Sequence, residues 1–140
     1  MSSTDAVVEQ ILRRYDTITV VGASNAPYKP AHTVPALMQE LGWRIVPINP
    51  HEQQILGEQV YRSVGDVPGG VGFVNVFRPS DQAADVARQA VSAGASAFWL
   101  QLHIVSDEAR RIAEDAGLSY VEDRCLAIEQ ARLGLSAPLR

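Results

Sequence analysis
The sequence predicts an α/β fold: a doubly wound sheet of about five parallel strands with helices on both faces. Three observations carry this. Short runs of β-branched and apolar residues alternate with helical patterns along the chain. The runs have hardly any polar interruption, which is the pattern of strands covered on both faces. The helical patterns tend to open on capping residues and close on glycines, and strands separated by helices of this length need right-handed crossovers and hence a parallel sheet.

Residues 5–15 place Val7, Val8, Ile11 and Leu12 at helical spacing, and the acidic residues early in this segment do not suit a signal peptide. "TITVVGA" (17–23) is the first strand. "AHTVPALMQELG" (31–42) is a helix with Gly42 placed to end it; Pro35 fits only near the first turn, which puts the start at or just before Thr33. "WRIVPI" (43–48) is the second strand, and 51–70 is the least regular stretch. "GFVNVFR" (72–78) is the third strand, followed by Pro79, by Ser80 as a helix cap with Asp81 in the first turn, and by a helix to about Ala93. "SAFWLQL" (96–102) is the fourth strand, "SDEARRIAEDAG" (106–117) a Ser-capped helix, "LSYVE" (118–122) the fifth strand, and "CLAIEQARLG" (125–134) a last short helix. The whole reads as one Rossmann-like domain over residues 1–140, with no repeat and no linker.

The net charge of −4 and the lack of a basic run argue against nucleic acid, whose binding draws on many Lys and Arg contacts to phosphate. No apolar run approaches the ~20 residues that cross a bilayer, so no membrane partner is expected. One cysteine forms no internal disulfide, which fits a cytoplasmic protein. The three histidines show no metal-ligand spacing.

In open parallel sheets the ligand sits beyond the carboxyl ends of the strands, at the switch in strand order. That rule selects the loops 22–30, 49–53, 78–81, 101–106 and 122–125. In the first, Gly22 allows a tight turn, Ala23 and Ser24 are small enough for a phosphate to approach the amides of 22–25, and Lys29 brings a cation to the same mouth. His32 either donates to a phosphate or is solvated. The dinucleotide fingerprint is absent: its second and third glycines fall on Ser24 and Pro27. The acid that binds the ribose is expected roughly 20 residues after the glycines, where this chain has "PINP".

"VVGAS", "KPAHTVPALMQELGWRIVPINP", "ILGEQVYRSV", "VFRPSD", "FWLQLHI" and "VEDRCLAIEQARL", in this order, resemble the stand-alone CoA-binding proteins, whose fold is similar to the N-terminal domain of the succinyl-CoA synthetase α subunit. The resemblance implies coenzyme A at the carboxyl edge of the sheet. Its pyrophosphate would lie on Gly22, Ala23, Ser24 and Asn25 with Lys29 nearby; Asn49 and Pro50 would border the adenosine; Phe77, Arg78 and Pro79 would form a wall; Gln101 and the residues after it would follow the pantetheine. Many family members have glycine where this chain has His103, and histidine adopts a left-handed backbone less readily.

The leading expectation is therefore a non-catalytic binder of CoA or acyl-CoA. Two alternatives stay open. One is an enzyme using Cys125, whose position near Arg124 and a helix start favours thiolate. The other is a module that senses NAD or an adenylate. Arg78 meets a ligand anion or pairs with Asp81; Phe98 and Trp99 face opposite sides of the sheet as core residues. The apolar N-terminal helix either caps the sheet or pairs with a second copy of the chain.

Overall fold
A computed structural model describes residues 3–139. Helix α1 (Ser3–Arg14) leads into β1 (Thr17–Val21), α2 (Pro30–Glu40) and β2 (Arg44–Ile48). A small hairpin of β3 (Gln54–Ile55) and β4 (Glu58–Gln59) precedes β5 (Phe73–Val76), α3 (Ala83–Ser92) and β6 (Ala97–Leu100). Then come α4 (Asp107–Asp115), β7 (Ser119–Val121) and α5 (Leu126–Leu133). The main sheet has five strands in the order β2-β1-β5-β6-β7. All four of its pairings are parallel. The expected doubly wound α/β sheet is thus the observed one, with strands one to three residues shorter than read from the sequence.

Alternating side chains divide the core between the two faces. Ile18, Val20, Phe73 and Trp99 join α1, α2 and α5 on one; Val74, Val76, Phe98 and Leu100 join α3 and α4 on the other. Val8, Ile11 and Leu12 are fully buried, so the apolar stripe of α1 caps the sheet. No helix among the described residues is long and apolar enough to cross a membrane.

Two local readings need correction. Helix α2 starts at Pro30, three residues ahead of Thr33, which leaves Pro35 inside it and beyond the first turn. Pro35 has no N–H for the carbonyl of Ala31, and the amide of Ser24 bonds that carbonyl instead, at 3.2 Å. Ser80 does not cap α3: residues 80–82 form a 3₁₀ turn, the residue preceding the α-helix is Gln82, and the Ser80 hydroxyl accepts from the amide of Val105 at 3.1 Å. Ser106, by contrast, caps α4 through Ala109 N–H at 3.0 Å. The hairpin, not expected within 51–70, turns at Leu56 and Gly57, both with positive φ.

Tyr120 on the edge strand β7 stacks on Phe98 and donates its hydroxyl to Glu122 at 2.9 Å. Burial pushes its pKa well above the ordinary value of 10.0, and the Glu122 hydrogen bond adds to the rise. A raised pKa stabilises the fold fully below the unfolded value and less as pH climbs past it. Stability should therefore fall in alkali through this group as pH climbs past about 10. Urea melts across that range are expected to show a shallower decline for Tyr120→Phe.

Candidate functional site
The strand order reverses at β1: the chain goes from β1 to β2 on one side and to β5 on the other. The crevice past the carboxyl ends of β1 and β5 is where such a sheet takes its ligand. Gly22 forms the crevice floor with φ +88, and a Cβ there would stand 3.0 Å from both Arg78 Cδ and the Phe77 carbonyl oxygen. The first loop thus lies directly on the residues that end β5, an approach only glycine permits.

Of the amides in 22–25, that of Gly22 bonds Ile48 O at 3.0 Å, that of Ser24 bonds Ala31 O and that of Ala23 is fully buried, which leaves that of the exposed Asn25 for a ligand. The Ser24 hydroxyl accepts from the amide of Ala26 at 3.0 Å. The Asn25 side chain donates to Glu52 and to the carbonyl of Gln54, both at 2.9 Å. Asn49 donates to the carbonyl of Ala23 at 2.9 Å while its side-chain oxygen accepts from the amides of His51 and Glu52. The two asparagines therefore bolt the first loop to the second. Pro50 is exposed beside them.

Lys29 is exposed at the start of α2 and makes no side-chain bond among the described residues. The helix start offers few other donors: Pro30 has no N–H, and the amides of His32 and Thr33 both bond the carbonyl of Lys29 at 2.9 Å. His32 Nδ1 lies 2.8 Å from the carbonyl of Ser24, so that nitrogen carries the proton. In the neutral ring Nε2 is then an acceptor, and His32 donates to a phosphate only as imidazolium.

Beside Gly22 opens a cleft of about 360 Å³ whose walls include Asn49, Pro50, Arg62, Arg78, Gln82 and Asp85. Arg78 is held by Gln82, not Asp81: Nε and Nη2 donate to the Gln82 side-chain oxygen at 2.9 and 2.7 Å. Arg62, which the sequence did not single out, donates from Nη1 to the carbonyls of Asn49 (3.0 Å) and Glu52 (2.6 Å). It follows the hairpin in the stretch with no clear periodicity, and that irregularity hid it. Phe77 is half-buried, its amide donating to Val21 O at 2.8 Å, and Pro79 is exposed before the 3₁₀ turn.

Further along the edge, Gln101 is buried, and its side-chain oxygen accepts from the amide of Leu126 at 3.3 Å. Gln101 thereby fixes the start of α5. Its buried neighbour Asn75 reaches Trp99 O and Gln101 Oε1 only at 3.4 and 3.5 Å, and Asn75 Oδ1 has no partner among the described residues. The signal for Asn75 was one amide in the apolar run "GFVNVFR". His103 does adopt the left-handed backbone, φ +72, and faces a second such residue, Asp123 at φ +56. The Asp123 carboxylate accepts from the His103 amide at 2.7 Å and holds the pair together.

Arg124 does not serve Cys125. Its guanidinium donates to Asp5 at 3.0 Å and to Glu129 at 2.8 Å, tying α1 to α5. Cys125 is half-buried at the residue before α5. Among the described residues no group of three His, Cys, Asp or Glu side chains is placed to hold a metal ion.

Residues 16–131 match a family model described as the CoA binding domain. The YneT protein of Bacillus subtilis (strain 168) is 34% identical over 126 residues, covering 90% of this chain and 93% of that protein. A solved structure of a protein from Pyrococcus horikoshii OT3 superposes with a TM-score of 0.89 at 34% identity, over 94% of this chain and 92% of the other. The α subunit of acetate–CoA ligase (ADP-forming) II from Pyrococcus furiosus is 35% identical over 63 residues, which are 44% of this chain and 14% of that subunit.

Proposed function
The chain belongs to the CoA-binding domain family, and on that premise we propose that it binds coenzyme A, free or acylated, across the carboxyl edge of its sheet without a catalytic step of its own. The pyrophosphate lies over the first loop, on the amide of Asn25, with Lys29 and Arg78 supplying charge. Asn49 and Pro50 border the adenosine, Phe77–Pro79 wall the crevice, and Gln101 shapes the pantetheine side through α5. The observation that carries this is the first loop itself: it is pinned at the strand switch by Asn25, Asn49 and Gly22, yet keeps the amide of Asn25 and a lysine unpaired among the described residues at its mouth. A ready anion site of this kind costs little ordering on binding.

The absence of a catalytic step is supported by Arg124, the cation next to Cys125 in sequence, which is committed to two carboxylates. Titration calorimetry with CoA, acetyl-CoA and NAD at fixed salt tests the reading. CoA is expected to bind and NAD is not. Because the helix start offers so few N–H donors, Lys29→Ala should weaken CoA by roughly 1–3 kcal/mol, the scale of a lost charged hydrogen bond. Cys125→Ser should leave the affinity alone. An unchanged affinity in Lys29→Ala would overturn the placement of the pyrophosphate.

A further inference from the structure
The cleft beside Gly22 has an arginine on each side of β1, Arg62 toward β2 and Arg78 after β5. Both guanidiniums are held in place by neutral acceptors and, among the described residues, keep N–H groups free. Arg62 uses both Nη1 protons on the carbonyls of Asn49 and Glu52, leaving Nε and Nη2. Arg78 uses Nε and one Nη2 proton on Gln82, leaving Nη1. Fixed forks with free edges are the arrangement that captures a phosphate bidentately. A terminal phosphate monoester, with nearly two charges and three acceptor oxygens, uses two such forks better than a singly charged diester does.

We propose that this cleft takes a phosphomonoester dianion and that Arg62 is its specificity-determining residue. The inference rests on the CoA reading above, in which the monoester is the 3′-phosphate of the ligand. Asp85 lines the same cleft with Gln89 bonded to its carboxylate at 3.0 Å. Its charge opposes the dianion, so it sets how tightly the cleft can hold one.

The test compares CoA with dephospho-CoA by calorimetry at fixed salt, in the wild type and in Arg62→Ala, Arg62→Lys and Asp85→Asn. The wild type should prefer CoA by on the order of tenfold to a hundredfold, the range of one or two charge-assisted bonds. Arg62→Ala should abolish most of that preference while dephospho-CoA binds as before, and Arg62→Lys should restore only part, since an ammonium has no fork. Asp85→Asn, which leaves both arginines in place, should tighten CoA more than dephospho-CoA, whose pyrophosphate meets Arg78 in the same cleft. Equal wild-type affinities for CoA and dephospho-CoA would overturn the inference and leave the CoA reading standing. Equal weakening of both ligands in Arg62→Ala would also overturn it, by showing that Arg62 acts through the 49–52 loop. Binding of neither would sink the CoA reading and this inference with it. NADP binding in preference to NAD, with no CoA binding, would assign the cleft to a ribose 2′-phosphate and overturn the 3′ assignment.

Discussion

Gly22→Ala should lower the stability of the fold by roughly 2–4 kcal/mol, and the physical sources of the loss are separable. At φ +88 an L side chain is strained wherever it sits, a cost of about 1–3 kcal/mol. The added methyl also has no room, with Arg78 Cδ and Phe77 O each 3.0 Å away. Overpacking of this kind costs about 1–3 kcal/mol, while the stiffer unfolded chain returns about 0.4–1 kcal/mol. The arginine can swing aside; the backbone carbonyl cannot without disturbing the Phe77–Val21 bond of 2.8 Å. The loop should therefore lift, and CoA affinity should drop together with stability. Urea unfolding followed by tryptophan fluorescence reads the first effect and calorimetry the second. A loss under about 1 kcal/mol, within the range of an unstrained surface change, would mean that the first loop is not pressed against β5.

The fold was legible because its signals are redundant. Every sheet strand except the edge strand β7 is a largely apolar run that buries both faces, so "TITVV" or "SAFWL" reads as a strand without knowledge of its partners. Where one signal stood alone it misled. Pro35 suggested a late helix start, but the tertiary structure supplies the missing bond from the other direction, since Ser24 N–H takes the carbonyl that Pro35 leaves free. Ser80 looked like a cap, but a 3₁₀ turn comes between it and α3, and its hydroxyl serves the loop after β6.

The site was legible in outline only. Gly22, Lys29 and Arg78 follow from the rule that loops at strand ends face the ligand. What each polar group is bonded to does not follow, because those partners lie far off in sequence. Asn25 and Asn49 clamp loops instead of lying free, Gln101 fixes α5 from a buried position, and Arg62 enters the cleft from a segment without periodicity. The left-handed turn at His103 is the opposite case. A glycine expected from the resemblance pointed to it, and the structure shows how a histidine is held there, by a carboxylate 20 residues along the chain.

Arg124→Ala should cost roughly 2–3 kcal/mol, somewhat below the loss expected for breaking a fully buried ion pair. Glu129 has a side chain only 8% exposed, and with Arg124 gone its carboxylate keeps a single cation, Arg132, at 3.2 Å. The Arg124 side chain is 31% exposed, so the bonds it loses were partly screened, which moderates the figure. Its pKa is raised, first by the hydrogen bond to Asp5 and then by Glu129. A raised arginine pKa gives stability that is fully present below the ordinary value and is lost only as pH rises beyond it. The arginine itself thus adds no pH dependence in the working range. The loss should fall on α1, which Asp5 ties to Arg124, and amide hydrogen exchange in residues 3–14 should quicken before that in β1 and β5. Removing both charges separates desolvation from attraction: Arg124→Ala with Glu129→Leu should be less destabilised than the sum of the two single variants, because no carboxylate is then left buried with one partner. Additive losses would mean that the two residues stabilise α5 independently, and that the hydrogen bond of 2.8 Å between them contributes nothing of its own.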